Sequence, residues 1–208
     1  MAAVVSPRPR EVRSNRFRQG FTEAMMQDSN IRSVLTAALL AGAAANCQAL
    51  DLHSNLRNGQ SVPADYYQNN FGCTGKSTSP MLEWKNAPAG TKSFAVTFFD
   101  KSAPTQSGFW HYLVYDIPAS SNKFELGDLT SAKLPAGAKE GNTDLGKPGY
   151  FGPCPPVGRK HTYEFTVFAL RTEKLDVPAN ATAALTSFYI WLNTLDRASF
   201  EVTAGPRK

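Results

Sequence analysis

Two histidines, one aspartate and a stiffened loop are the residues that could do chemistry. His111 lies in the apolar run Trp110 to Pro118, and His161 opens the alternating run His161 to Leu170. Asp100 ends the run Lys92 to Asp100, just before Lys101-Ser102-Ala103-Pro104. Imidazoles donate or accept hydrogen bonds and titrate near neutral pH, so two of them with inward-facing dipoles suit a negatively charged group. Directly before His161 comes Gly149-Tyr150-Phe151-Gly152-Pro153-Cys154-Pro155-Pro156-Val157-Gly158. Its three prolines fix dihedrals and its three glycines free them, so such a loop can hold peptide N–H groups in one direction. Two histidines and a carboxylate also have the composition of a metal site, but no helical or C-x-x-C spacing reinforces it. His53 carries no accompanying pattern.

These residues need positioning elements, and most of the body reads as strand. Residues 92–100 and 161–170 alternate apolar and polar, 110–118 is continuously apolar like an interior strand, and 80–84 and 199–203 are shorter candidates. Turns fall at 86–90, 135–137 and 146–149. One helix is expected over Ala181 to Ala198, capped by Asn180 or Thr182. Its stripe of Leu185, Phe188, Tyr189, Leu192 and Leu195 should face the core. The fold class is mainly β, a single domain with one C-terminal helix.

Composition narrows the function. The 208 residues hold 22 basic and 17 acidic side chains. Residues 1–49 carry six arginines (Arg8, Arg10, Arg13, Arg16, Arg18, Arg32) and three acids (Glu11, Glu23, Asp28), leaving 16 bases and 14 acids to the body. A near-neutral body gives no nucleic-acid footprint. After residue 50 no apolar run is long enough to span a membrane. Residues 31–49 read IRSVLTAALLAGAAANCQA: a basic start, a short apolar stretch and a small-x-small end at Cys47-Gln48-Ala49, the grammar of a signal peptide. A periplasmic or secreted protein is expected, with residues 1–30 a disordered or mis-assigned extension. Removing the leader leaves Cys73 and Cys154, an even pair in an oxidising compartment, so a disulfide between them is expected. That pairing makes Cys154 a structural sulfur and argues against a Cys–His nucleophile. Gly75-Lys76-Ser77 imitates the end of a P-loop, but Asn70 stands where its first glycine belongs and Pro80 forbids the helix. Asn180-Ala181-Thr182 is a glycosylation sequon with meaning only in a secretory eukaryote.

Asp100-Lys101-Ser102-Ala103-Pro104, Gly108-Phe109-Trp110-His111, the loop 149–158 and His161-Thr162-Tyr163 together resemble the two signature regions of the phosphatidylethanolamine-binding protein family. The likeness is closest to the bacterial Raf-kinase-inhibitor-like branch. Phe71-Gly72-Cys73-Thr74-Gly75, Ser79 to Trp84, Ala87 to Ala95 and Asn142 to Gly146 extend it across residues 50–203. The resemblance implies a β-sandwich-like core with peripheral helices over residues 50–208. It also implies a surface pocket for phosphate-type anions or phospholipid headgroups. Carried over by position, Asp100, His111 and His161 line that pocket, framed by Phe109, Trp110, Tyr150, Gly152, Pro153 and Pro156. The family has no agreed catalytic activity, so the expectation is a binding protein that needs no cofactor or metal. The alternatives are a protein-interaction module that inhibits a kinase or protease, and a metal- or His-dependent hydrolase.

The chain departs from the family pattern at several places. Lys101 and Ser102 replace the usual Pro and Asp, Thr162 replaces Arg, Ser77 stands where Asn is common, and Tyr189 and Trp191 replace a frequent Asn and His. The lost acid and the gained cation imply one of two outcomes: a preference for purely anionic ligands over zwitterionic ones, or a drifted, weaker site.

Overall fold

The computed structural model describes residues 48–208. The expected disorder of residues 1–30 and the expected leader at 31–49 fall outside the described residues, apart from Gln48 and Ala49.

Among the described residues nine strands form two sheets. A small antiparallel sheet pairs β1 (Asp51–Ser54) with β3 (Leu82–Lys85), and β3 with β6 (Lys123–Phe124). The large sheet runs β2 (Gln60–Ser61), β9 (Thr194–Ala204), β8 (His161–Leu170), β4 (Ser93–Asp100), β5 (Phe109–Pro118), β7 (Lys139–Glu140). All its pairings are antiparallel except β2 with β9.

Strand alternation sorts side chains into two cores. Phe94, Val96 and Phe98 of β4 join Tyr163, Phe165 and Val167 of β8 against Leu82 and Trp84 of β3, which fills the space between the sheets. From the opposite face, Ala95, Leu113, Phe168 and Leu170 pack with Ala183 and Ile190 of α1 (Ala183–Leu192), the one α-helix among the described residues. The result is two sheets face to face with a helix outside the larger one, consistent with the mainly β expectation.

The helix differs from its sequence reading in length and in facing. Thr182 caps it, its hydroxyl accepting from the Leu185 N–H at 3.2 Å. It ends at Asn193, and residues 194–204 continue as a strand paired along β8. The buried positions are Ala183, Thr186 and Ile190. Most of the expected core stripe points outward instead: Phe188 is 50% exposed and Leu192 48%, Leu185 is exposed too, and Tyr189 is half-buried. At Ala183 and Thr186 the underlying surface leaves room only for small side chains. Gly141, on the sheet side, would carry a Cβ only 3.1 Å from the Thr186 methyl. Leu195 belongs to β9 and is also exposed.

Candidate functional site

A β-bulge builds the site. In the β4–β5 ladder Phe98 faces Tyr112 and Phe99 faces Trp110, so His111 is the extra residue on β5. The bulge sends Trp110 to the helix side, where its ring lies 4.4 Å from Phe99, centre to centre. It keeps Phe109 and His111 on the side of Phe98 and Asp100. His111 then sits among Phe98, Phe109, Phe151 and Tyr163, stacked at 4.3 Å on Phe151. Gly108 makes the entry to β5 possible. Its φ is +72°, and a Cβ there would come within 2.1 Å of the Phe99 ring.

The two sequence-predicted histidines and the aspartate meet at one hollow of about 360 Å³. Asp100 and His161 are both buried, with His161 Nδ1 2.7 Å from Asp100 Oδ2. The other carboxylate oxygen accepts the Ser102 N–H at 2.8 Å. His111 Nδ1 lies 3.1 Å from the Phe151 carbonyl. A carbonyl only accepts, so Nδ1 carries the proton and Nε2 is left as an acceptor in the neutral ring. Burial pushes the His111 pKa down to about 4, outweighing the Phe151 carbonyl and the Asp100 charge, which favour the cation. His111 is therefore neutral at physiological pH and brings no positive charge to the hollow.

That depressed pKa fixes a pH dependence of stability. Between about 4 and the ordinary value of 6.5 the unfolded chain takes up a proton that the folded chain refuses. This contribution is complete above pH 6.5, shrinks as the pH falls through that window and is spent below about 4. Its size is on the order of 3 kcal/mol. Urea unfolding from pH 7 to pH 4 should show this loss, and His111→Phe should flatten the profile. An unchanged profile in the variant would count against the assignment.

Arg207 supplies the cation, and nothing in the sequence pattern marked it. Its Nε donates to the Pro155 carbonyl and its Nη1 to the Gly72 carbonyl, both at 2.7 Å. The side chain thereby closes one wall of the hollow and ties two rim segments together. The other wall residues are mainly apolar, among them Phe71, Pro104, Phe109, Leu145, Phe151 and Pro156.

Several expected framing residues lie elsewhere. Trp110 is turned away by the bulge, and its backbone N–H donates to Asp144 Oδ2 at 2.8 Å. Tyr150 is stacked against Phe98 at 5.6 Å on the inner core. Gly152 and Pro153 sit behind the wall, where a Cβ on Gly152 would stand 2.0 Å from the Tyr66 carbonyl. Phe109 and Pro156 do line the hollow. Three of the loop's N–H groups, and that of Arg159 just beyond it, are taken by protein acceptors and are not free for an anion. Gly152 donates to Ser77 Oγ at 2.7 Å, Phe151 to the His111 carbonyl, Gly158 to the Arg207 carbonyl and Arg159 to the Pro156 carbonyl. Lys101 does not add charge to the hollow either. Its ammonium sits 2.6 Å from Glu201, which chiefly raises its pKa, and 3.9 Å from Glu164.

The Cys73–Cys154 disulfide is formed. Cys154 borders the hollow as a bridged sulfur and offers no thiol. His53 is exposed and pairs only with Asp51, at 2.9 Å. Among the described residues no three His, Cys, Asp or Glu side chains converge on a point that could hold a metal ion. No helix among them is long and apolar enough to cross a membrane.

Comparison with known proteins places this architecture. Escherichia coli YbcL is 42% identical over 163 residues, covering 76% of this chain and 88% of its own. Escherichia coli YbhB is 40% identical over 149 residues, covering 71% and 94%. The crystal structure of YbcL, described as a new member of the mammalian PEBP family, superposes with a TM-score of 0.72 over 76% of this chain and 98% of that one. A Chlamydia trachomatis homologue at 24% identity and TM-score 0.61 shares the fold. The phosphatidylethanolamine-binding protein family model matches residues 53–205, and the chain belongs to that family.

Proposed function

We propose that this protein is a non-enzymatic binding protein whose hollow takes a phosphate-type anion. The observation that carries this reading is the convergence of Asp100, His111, His161 and Arg207 on one open, apolar-walled hollow. Arg207 supplies fixed positive charge, and His161, anchored through Nδ1, turns Nε2 toward the ligand. The neutral His111 contributes an acceptor, which matches a phosphate oxygen that still holds a proton. A phosphomonoester loses that proton near pH 6. Binding should therefore tighten as the pH falls from about 7.5 to about 5, where the monoanion dominates. A preference for the dianion would reverse the trend and discard this reading of His111.

The Asp100–His161 pair resembles the base-orienting half of a hydrolytic triad. No protein nucleophile accompanies it on the wall. Cys154 is bridged, and the Thr105 hydroxyl donates to the Gly108 carbonyl. Binding is thus the better-supported reading. A disulfide fits an oxidising compartment, and Mycobacterium tuberculosis LppC, 34% identical over 113 residues, carries "lipoprotein" in its name. Both support a place outside the cytoplasm.

Thermal denaturation with increasing butyl phosphate tests the binding reading. The midpoint should rise with ligand concentration as mass action requires, and His111→Ala with His161→Ala should abolish the rise. A melting curve that saturating phosphomonoester leaves untouched would sink it.

A further inference from the structure

Beside the first hollow lies a second of about 500 Å³. The two share Phe71, Leu145 and Phe151, so those side chains divide neighbouring compartments. Phe71 is 59% exposed at this divide and holds a left-handed backbone, with φ +52°. A bulky residue adopts that conformation only where its surroundings impose it. Here the Asn70 side chain accepts the Phe71 N–H at 2.8 Å, and Cys73, two residues on, is anchored by its disulfide.

Besides Tyr150, whose ring packs on the inner core, the polar side chains of the second hollow are Gln68, Asn70, Thr143 and Lys147, and the existing bonds of these four leave mostly donors. Gln68 Oε1 accepts the Asn69 N–H at 3.2 Å, and Asn70 Oδ1 is occupied by Phe71. Both amide NH₂ groups remain. The Thr143 hydroxyl donates to the Lys147 carbonyl at 2.8 Å and accepts from the Leu145 N–H at 3.2 Å. This fixes the backbone that carries Lys147. The Lys147 ammonium has no acidic partner among the ion pairs of the described residues. Asp144, three residues away, bonds the Trp110 N–H and does not line the hollow. An ammonium and two amide NH₂ groups with their own acceptors already used match a carboxylate or phosphate group.

We propose that this second hollow is an anion subsite, so that the whole site takes an elongated ligand with an acid group at each end and an apolar stretch lying over Phe71 and Leu145. The two-ended ligand rests on the reading of the first hollow given above; the subsite itself does not.

Alkanediol bisphosphates with two to six carbons, compared with alkyl monophosphates of the same length, test the proposal by isotope-labelled NMR and calorimetry. The Gln68 and Asn70 side-chain amide signals report the second hollow, and the His111 and His161 ring signals report the first. The best bisphosphate should bind on the order of tenfold tighter than its monophosphate and move both sets of signals. Lys147→Ala with Gln68→Ala should remove that advantage. Equal affinities with the amide signals still would overturn the subsite while leaving the first hollow intact. Amide signals that move while the rings stay still would support the subsite and defeat the phosphate reading of the first hollow. Silence from both sets would overturn both.

Discussion

Protein carrying alanine at both Cys73 and Cys154 should unfold at markedly lower denaturant and lose most of its affinity for phosphomonoesters. The bridge joins positions 81 residues apart. In the chain-entropy model, closing a loop of that length is worth about 4.5 kcal/mol. For a domain of this size the melting midpoint should fall by roughly 10–15 °C. The segments it joins are irregular and have few other ties. Gln68 N–H donates to the Pro153 carbonyl at 3.1 Å and Gly152 N–H to Ser77 Oγ at 2.7 Å. Loss of the bridge therefore frees Phe71 and Gly72 as well, and with Gly72 goes one of the two carbonyls that hold Arg207. Urea titrations of the wild type under oxidising and reducing conditions, beside the double variant, measure the effect. A difference below about 1 kcal/mol would show that the rim is held by other contacts.

Asp100→Ala should be comparably damaging for a different reason. Asp100 is 3% exposed and accepts from both His161 and the Ser102 N–H. Removing one member of a buried, hydrogen-bonded pair typically costs about 3–5 kcal/mol, because the partner keeps its desolvation cost and loses its compensation. Asp100→Asn separates geometry from charge. Its amide oxygen can still accept one bond, so the stability loss should be nearer ~1 kcal/mol, the worth of a single hydrogen bond. The carboxylate repels an anion, yet it also holds His161 through Nδ1 and so aims Nε2 at the ligand, and this positional role should win. Phosphomonoester affinity is expected to fall at least tenfold in Asp100→Asn. Tighter binding by Asp100→Asn would show that the carboxylate acts on the ligand only as an opposing charge.

The strands were legible because their faces are unequal. The bounds 161–170 coincide with β8, whose faces alternate as far as Phe165 and are both buried beyond it, and the apolar run at 110–118 sits one place inside β5, Phe109–Pro118. The helix was half legible. Residues 181–198 contain an apolar stripe of helical period, but from Thr194 onward the chain also alternates, and pairing with β8 decides in favour of the strand. The stripe's outward facing was hidden because the face packed under α1 is made by Ala183, Thr186 and Ile190, which leaves Phe188 and Leu192 exposed. Within the site, Asp100, His111 and His161 were readable from type and context. Trp110 was misplaced because a one-residue bulge, invisible in the pattern, reverses the facing of everything before it. Arg207 was missed because its role depends on where the chain returns after β9.

The walls of the first hollow are drawn from Phe71, Asp100, His111, Cys154, His161 and Arg207, spread over most of the described chain. No fragment that stops short of β8 and β9 brings these groups together, so recognition is a late event in folding. Partly folded species, however much sheet they contain, are blind to the ligand. Occupancy then reports complete assembly, and a ligand present during refolding selects the finished molecule without speeding the early steps.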